Sequence, residues 1–247
     1  VIYDLFIRQY IFKLSIHANE KALDGDRGKL IDRQRNEMKT QTTPSWYKLN
    51  GNWDEWQQLK WKFKIPKDFR PSGSFTHLHQ LKAQEGNNGS PVITITARSN
   101  GNGSNRRIQI IHNGDTEETT KGTIIDNLPL EDFEDEWIQV ETEMHYTHNG
   151  SFSITLSRLS DGKRLVQRSF DDIDLWRKGA ISIRNKFGIY RSFGKTLTDE
   201  NDRPTNGISQ REDATSREIT TAAVMGVVST FSIITLSTKE DYGTSKK

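Results

Sequence analysis

The chain of 247 residues contains no cysteine, so neither disulfide bonds nor thiolate chemistry contributes to its stability or function. Apolar residues are also scarce, at 32% of the sequence. A low apolar share is typical of β-sandwiches, in which alternate strand residues face the solvent, and it disfavours a compact helical protein. The net charge is only +2, which disfavours a protein that binds nucleic acid.

Long uncharged runs are missing as well, with one exception near the carboxyl terminus. Residues 219–236 carry no charge over a length close to that of a membrane span. The many Thr and Ser residues of this segment, and the interruption by Gly226, argue against a span. We therefore expect a buried closing strand here and no association with a membrane.

The sequence does contain a repeated alternation of apolar and polar residues, which indicates β-strands. Asn-Gly and Asp-Gly pairs separate the alternating segments and are typical of tight turns between antiparallel strands. The pattern predicts an all-β sandwich of two sheets in one domain, residues 1–247. The predicted strands are 10–17, 59–65, 91–97, 107–112, 136–146, 151–159, 164–170, 180–184 and 187–191, with one helical turn at 171–176.

Charge is distributed unevenly along the chain despite the small net value. Basic residues are concentrated in 27–39 and in 184–195, and the second stretch contains no acidic residue. Local basic patches in a nearly neutral protein favour one site for an anionic ligand.

The first candidate motif lies in 32–39, where strand alternation directs every second side chain to one face. Arg33, Arg35, Glu37 and Lys39 would share that face. Arginine forks bind carboxylates through two hydrogen bonds, and Glu37 would hold an arginine in position. A solvated strand face with paired charges is the alternative interpretation.

The second motif lies in 74–82 and contains His77 and His79, which strand spacing would place on one face. A neutral histidine is suited to take up a proton as a general base. A metal site is a second interpretation, and two structural histidines in ordinary hydrogen bonds are a third.

The third motif lies in 185–191, where Lys186, Gly188 and Tyr190 would share a face. Gly188 would let a ligand approach the strand closely. A tyrosine beside cations is suited to proton transfer, because the cations favour its phenolate. An ordinary surface strand is the alternative.

In this order, Arg-Gln-Arg-Asn-Glu, His-Leu-His-Gln and Lys-Phe-Gly-Ile-Tyr-Arg resemble the three motifs of jelly-roll polysaccharide lyases. These enzymes include alginate lyases, glucuronan lyases and heparin lyase I. The resemblance covers residues 10–195. It implies a β-jelly-roll sandwich of two antiparallel sheets with a concave substrate groove, in a single lyase-like domain of residues 1–247.

The resemblance also implies a reaction, the β-elimination of a uronate-containing polysaccharide of the glucuronan, alginate or glycosaminoglycan type. His77 stands where those enzymes have the glutamine that helps to neutralise the uronate. His79 or a deprotonated Tyr190 would be the base, and Tyr190 the acid. The implied catalytic residues are His79, Tyr190, Arg35 and Lys186, and the implied substrate-binding residues are Arg33, His77, Gln80, Glu37 and Arg191.

The remaining expectations concern partners and location. The resemblance implies a secreted or periplasmic monomer that acts on an acidic polysaccharide and binds neither nucleic acid nor membrane. The reaction requires no cofactor, and a structural Ca²⁺ remains an open alternative. Oxygen-rich candidates for such an ion are Asp24, Asp26, Asp171, Asp172 and Asp174.

Two other functions stay open on the sequence alone. A glycoside hydrolase would need paired carboxylates, for which Glu141 and Glu143 share a predicted strand face. A non-catalytic carbohydrate-binding module would instead use exposed aromatic side chains. The candidates for that role are Trp46, Tyr47, Trp53 and Trp56.

Overall fold

The computed structural model describes residues 1–17, 33–40, 50–67, 69–100, 103–192 and 220–226, the last of these as a backbone strand. Apart from one 3₁₀ turn at Leu130–Asp132, the regular structure in these ranges is β-strand. The strands are β1 (Ile2–Asp4), β2 (Gln9–His17), β3 (Arg33–Lys39), β4 (Trp56–Lys64), β5 (Thr76–Gln84), β6 (Ile93–Arg98), β7 (Arg107–His112), β8 (Gly122–Pro129), β9 (Trp137–His145), β10 (Gly150–Arg158), β11 (Arg164–Ile173), β12 (Ser182–Ser192) and β13 (Thr220–Gly226).

The strands form two antiparallel sheets, as the alternation predicts. The seven-stranded sheet has the order β1-β2-β13-β4-β9-β10-β11, and the six-stranded sheet has the order β3-β12-β5-β6-β7-β8. Strands that are distant in sequence are neighbours in both sheets, as β3 and β12 illustrate. The all-β sandwich is therefore confirmed.

The hydrophobic core lies between the two sheets and is built largely by the alternation of inward and outward side chains. On β4, Leu59, Trp61 and Phe63 are buried while the residues between them face outward. On β6, Ile93 and Ile95 are buried in the same core. Burying one such side chain stabilises the fold by about 1.5–3 kcal/mol, so the alternation fixes which face of each strand is left for a ligand.

Most predicted strands are observed, with four differences. The helical turn predicted at 171–176 is wrong, because β11 continues to Ile173 and pairs with β10 up to that residue. The two strands predicted at 180–184 and 187–191 fall together in the single strand β12, which begins at Ser182. The edge strand β8 has no counterpart in the prediction, because it is largely exposed and lacks a clear apolar alternation. The short edge strand β1 has no counterpart either.

The uncharged segment near the carboxyl terminus contributes a strand to the seven-stranded sheet. Thr220–Gly226 pairs with β2 on one side and with β4 on the other. The rest of the predicted strand, 227–236 and residue 219, lies outside the described residues. Among the residues that the structure describes, no helix is long and apolar enough to cross a membrane.

Candidate active site

The first and third sequence motifs lie side by side on the six-stranded sheet. β3 pairs with β12 so that Arg35 is opposite Tyr190 and Glu37 is opposite Gly188. Because Ile189 points into the core, Tyr190 points outward, and the shared faces predicted for β3 and β12 are confirmed. We call this outer surface the cationic face, after the basic residues that the described strands direct to it: Arg33, Arg35, Lys82, Arg98, Arg107, Arg184 and Lys186.

Tyr190 is surrounded by cations. The Arg33 guanidinium donates a hydrogen bond from Nη1 to the phenolic oxygen of Tyr190 at 3.0 Å. The Arg35 guanidinium lies over the tyrosine ring, 4.8 Å from its centroid, and the Lys186 ammonium lies 5.7 Å from the same point. The phenolic oxygen thus accepts a hydrogen bond from one cation, and two further cations lie against the ring.

Glu37 is the acidic partner inside this cluster. Its carboxylate forms a 2.6 Å ion pair with the Lys186 ammonium and accepts a second hydrogen bond from the Gln80 amide. The side chains of Lys186 and Glu37 are only 8% and 3% exposed. A buried pair with such contacts is held in one geometry, so Lys186 is fixed beneath the ring of Tyr190.

Gly188 is required for a different reason than the one we expected. Its φ of +144° lies in a region that side chains rarely adopt, and an added Cβ would collide with the backbone of Asn36 and Glu37 on β3. The glycine therefore lets two strands approach each other, and the expectation of ligand approach has no support from this geometry.

The predicted shared face of His77 and His79 is wrong, because β5 contains a register irregularity. His77 pairs with Tyr190 and Thr96, whereas His79 pairs with Phe187 and Ile95. A bulge at this point shifts the alternation, so that His77 and Gln80 face outward while His79 faces the core.

His79 is consequently an interior residue and cannot contact a polysaccharide on the cationic face. It is 3% exposed, packs against Trp61 and Phe187, and donates from Nε2 to the side-chain oxygen of Asn185 at 3.0 Å. Burial lowers the pKa of His79 to about 4, although the Asn185 hydrogen bond partly opposes the shift. The structure thus contradicts the predicted position of the base and leaves His79 a structural role.

His77 takes its place on the cationic face. Its ring stacks on Phe75 with centroids 4.7 Å apart and lies 5.9 Å from the ring of Tyr190. Burial lowers the pKa of His77 to about 3, and the charges of Arg98, Lys186 and Lys82 act in the same direction. His77 is therefore neutral at physiological pH.

Arg191 is a second correction among the predicted site residues. It alternates with Tyr190 and so points to the inner side of the six-stranded sheet, where it is 1% exposed. Its Nη2 donates to the side-chain oxygen of Gln34 at 3.2 Å. Burial lowers the pKa of Arg191 to about 10. The sheet therefore separates Arg191 from the cationic face, where the resemblance had placed it.

Five residues of the cationic face were not singled out in the sequence. Four of them have an outward position on a strand, and strand alternation is the signal that could have found them. They are Lys82, Arg98, Arg107 and Arg184, and the fifth is Phe75, which directly precedes β5.

The residues of the rival interpretations lie elsewhere. Glu141 and Glu143 project from the outer side of β9 in the opposite sheet, where Lys60 and Gln58 respectively contact them. Trp46, Tyr47, Asp24 and Asp26 lie outside the described residues. Among the residues that the structure does describe, no group of three or more His, Asp or Glu side chains could hold a metal ion.

No protein-family model matches the chain, and no curated protein matches it. The solved structures do contain similar folds. A family 7 alginate lyase, A1-II′, in complex with a substrate is 13% identical and superposes with a TM-score of 0.50 over 88% of this chain and 75% of that one. The chain has the β-jelly-roll fold of this lyase.

Two further structures are similar at lower scores. An alginate lyase from Pseudomonas aeruginosa is 13% identical, with a TM-score of 0.45 over 86% of this chain and 78% of that one. The lectin UEA-II complexed with galactose is 12% identical, with a TM-score of 0.38 over 87% and 95% of the two chains. The similarity to the family 7 alginate lyase confirms the resemblance to jelly-roll polysaccharide lyases for the fold, and a fold alone does not determine activity.

Proposed function

We propose that the protein is a polysaccharide lyase that cleaves a uronate-containing polysaccharide by β-elimination on the cationic face. The single observation that carries this proposal is the hydrogen bond from the Arg33 guanidinium to the phenolic oxygen of Tyr190. A tyrosine whose oxygen accepts a hydrogen bond from a guanidinium can exchange a proton with a bound sugar. The fold is one that an alginate lyase has.

The reaction begins with the uronate carboxylate. The proton on C5 is weakly acidic, and its removal becomes feasible when positive charge neutralises the adjacent carboxylate and stabilises the developing enolate-like charge. Arg35 is the best placed cation for this role, because its guanidinium lies over the ring of Tyr190.

Tyr190 then performs both proton transfers. Its phenolate takes the proton from C5, the C5–H electrons form the C4–C5 double bond, and the bond from C4 to the glycosidic oxygen breaks. The tyrosine returns the same proton to the departing oxygen, so that no water is consumed. Because Tyr190 performs both transfers, the assignment needs no second base. It therefore agrees with the interior position of His79.

One residue can serve both atoms only if the C5 proton and the C4 oxygen lie on the same side of the sugar ring. They do so in D-glucuronate and D-mannuronate, and they lie on opposite sides in L-guluronate. We therefore propose glucuronan or mannuronate-rich alginate as the substrate.

His77 acts as a neutral hydrogen-bond donor. Its Nδ1 is buried and has no hydrogen-bond partner among the described residues. Since burying an unpaired N–H is costly, we assign the proton to Nε2, which can donate to the substrate carboxylate. The lowered pKa keeps this ring neutral, so it supports Arg35 without adding a charge.

Lys186, Glu37 and Gln80 are positioning residues in this scheme. The ion pair and the amide hydrogen bond fix the ammonium beside Tyr190, where its charge adds to that of the two arginines. The ammonium acts through the tyrosine and does not need to touch the substrate. Substitutions here should lower kcat more than they raise KM.

The proposal extends to cofactors and setting. All proton transfers use groups of the chain itself, so we propose that no cofactor is required and that chelator-treated protein keeps its activity. A structural Ca²⁺ would instead appear as a loss of thermal stability after chelation. An acidic polysaccharide is the only partner proposed, for a monomer that is secreted or periplasmic.

The decisive experiment is ultraviolet absorbance of the protein mixed separately with glucuronan, mannuronate-rich alginate, polyguluronate, heparin and pectate. β-Elimination leaves a conjugated double bond, which hydrolysis does not produce. We expect absorbance to rise with glucuronan or mannuronate-rich alginate and not with polyguluronate. New reducing ends without absorbance would identify a hydrolase and contradict the proposal.

A carbohydrate-binding module is the second candidate function, and Trp53 is the observation that favours it. The side chain is 53% exposed and makes edge contacts with His148 and Trp176, which hold its ring in place. Exposed and fixed aromatic rings suit stacking on sugars. Retained binding of a polysaccharide with neither absorbance nor reducing ends would favour this candidate.

A further inference from the structure

Like charges face each other directly at three places on the cationic face. At one of them, Lys186 on β12 is opposite Lys39 on β3, and the ion pair with Glu37 compensates the charge of Lys186. At the other two, Arg98 on β6 is opposite Arg107 on β7, and Arg184 on β12 is opposite Lys82 on β5. Like charges in directly opposed strand positions destabilise a sheet. Two such pairs on one surface require an explanation beyond folding.

The positive charges of the pair on β6 and β7 are incompletely compensated by neighbouring groups. Nε of Arg98 is buried without a hydrogen-bond partner, and within the described residues its guanidinium makes no hydrogen bond or ion pair. Arg107 bonds to the backbone oxygen of Asn105 at 3.1 Å and lies 3.8 Å from Asp126. The charge of Asp126 also favours the charged form of Arg98, and Asp126 accepts a hydrogen bond from Gln109.

The pair on β12 and β5 has the same character. Nε of Arg184 is buried and has no hydrogen-bond partner among the described residues. Lys82 donates to the backbone oxygen of Gly89 at 3.1 Å. Burial and the charges of Lys186, Arg184 and Arg35 lower the pKa of Lys82 to about 8, although Glu37 opposes the shift. The neighbouring cations are thus close enough to repel its charge.

The two pairs lie on opposite sides of Tyr190. Thr96 is level with Tyr190 across β5, so Arg98 lies two residues beyond that level, while Arg184 lies six residues before it. Eight residues of extended chain separate the two levels, which is about 25 Å. An oligosaccharide of several sugars would reach both pairs while passing over Tyr190.

We propose that these two like-charge pairs are anion-binding subsites, so that the substrate carries acidic groups on both sides of the sugar at Tyr190. This inference rests on the proposed function for the position of the reacting sugar. The binding chemistry is independent of catalysis, because arginine forks and an ammonium bind carboxylate or sulfate whether or not a bond is cleaved.

Calorimetric binding with Tyr190→Phe as the common background separates binding from cleavage. We expect Arg98→Gln and Arg184→Gln each to weaken the binding of glucuronan about tenfold, since each removes a charge-assisted hydrogen bond. Lys62→Gln, which removes one charge from the outer side of the opposite sheet, is the matched control and should leave affinity unchanged. Dextran, a neutral polymer, should not bind.

The outcomes distinguish this inference from the proposed function. One outcome is that both arginine variants lose binding while the wild type cleaves none of the polymers. This would support the anion-binding subsites and contradict the proposed lyase activity. Unchanged affinity and KM in a protein that does cleave would overturn the subsites alone, as would equal binding of dextran. Heparin and glucuronan titrations show whether sulfate or carboxylate is preferred, and either preference supports an anion subsite.

Melting temperatures test whether the opposed cations have a role in the fold and not in binding. Removing one of two opposed cations should leave the melting temperature unchanged or raise it, because the repulsion disappears. Glucuronan should then raise the melting temperature of the wild type more than that of Arg98→Gln. A marked fall in melting temperature without polymer would assign Arg98 a role in the fold and overturn the proposal.

Discussion

The two outer surfaces of the sandwich arise from the same alternation but differ in how their charges are paired. On the seven-stranded sheet, Lys60 and Glu141 form a 2.5 Å ion pair across β4 and β9, and Gln58 contacts Glu143 on the neighbouring positions. On the six-stranded sheet, opposed positions carry like charges, as Arg98 and Arg107 do. The ion pair on the seven-stranded sheet compensates its own charges, whereas the opposed arginines on the six-stranded sheet leave positive charge in excess.

Aromatic residues repeat this contrast. Trp56 on the seven-stranded sheet stacks on His145 at 4.6 Å, and His145 bonds to Asp54 at 2.8 Å, so the group is internally paired. Tyr190 on the cationic face instead accepts its hydrogen bond from a cation, Arg33. We propose reactivity on the cationic face alone, and substitutions on both sheets can test this.

The largest effect is expected for Tyr190→Phe. The variant keeps the ring contacts with Arg35 and Phe75 but removes the oxygen that transfers both protons. Each positioned proton transfer contributes about 10²–10⁴-fold, so we expect kcat on glucuronan to fall at least about 10³-fold. Absorbance of the unsaturated product provides the measurement, with calorimetry to check that polymer binding persists.

Tyr10→Phe is the matched control, because this tyrosine is exposed on β2 of the opposite sheet. Its activity should equal that of the wild type. Product formation by Tyr190→Phe within tenfold of the wild-type rate would show that another group carries the protons and would remove the contrast between the two faces.

The next effect concerns the buried ion pair. Glu37→Gln removes the carboxylate that pairs with the Lys186 ammonium, and the side chain of Glu37 is only 3% exposed. Breaking such a buried ion pair typically costs about 3–5 kcal/mol. We expect a fall of about 3 kcal/mol in the free energy of unfolding and a lower kcat at similar KM. Urea unfolding and steady-state kinetics measure the two parts.

Glu141→Gln removes the acidic partner of an ion pair on the other sheet and serves as the comparison for Glu37→Gln. Equal losses of stability in the two variants would contradict the distinction between a buried and an exposed pair.

The cationic face was predictable from sequence where strands are regular and was not predictable where they are not. Strict alternation on β3 and β12 put Arg33, Arg35 and Glu37 on one face with Lys186 and Tyr190, as the structure has them. The same rule excludes Arg191 from that face, and the motif resemblance assigned it there against the alternation. A position next to a motif residue on a strand is on the other side of the sheet.

The bulge in β5 is the reason that the histidines were misplaced. The sequence gives no local sign of it, since His-Leu-His-Gln continues the alternation and contains no glycine. The irregularity lies in the pairing of β5 with β6 and with β12. The sequence of β5 alone does not contain this information, because the pairing depends on other strands. Long-range register can therefore exchange a reactive and a structural residue that are two positions apart.

The two histidines offer the third prediction. His79→Ala should lower the free energy of unfolding by about 2–3 kcal/mol, because it leaves a cavity beside Trp61 and Phe187 and deprives Asn185 of a hydrogen bond. His77→Ala should change stability less and lower kcat/KM on glucuronan. Urea unfolding and initial rates per folded molecule separate the two effects.

Acid should reveal the buried histidine as well. The pKa of His79 is about 4 in the folded state and 6.5 in its ordinary range, so between these values the unfolded state binds the extra proton. Stability is therefore fully present above pH 6.5 and falls as the pH drops toward 4. His79→Ala should flatten this fall, and an unchanged slope would contradict the interior assignment.

The smallest effect is expected for Glu141→Gln on the seven-stranded sheet. Lys60 and Glu141 are 47% and 45% exposed, and an ion pair in contact with water contributes about 1 kcal/mol or less, since solvent screens the charges. We expect a change in unfolding free energy within about 0.5 kcal/mol and no change in kcat or KM. Urea unfolding at low and high salt gives the first value, and product absorbance gives the second. A lowered rate here would mean that the seven-stranded sheet also takes part in the reaction, and the paired surface would then be as functional as the unpaired one.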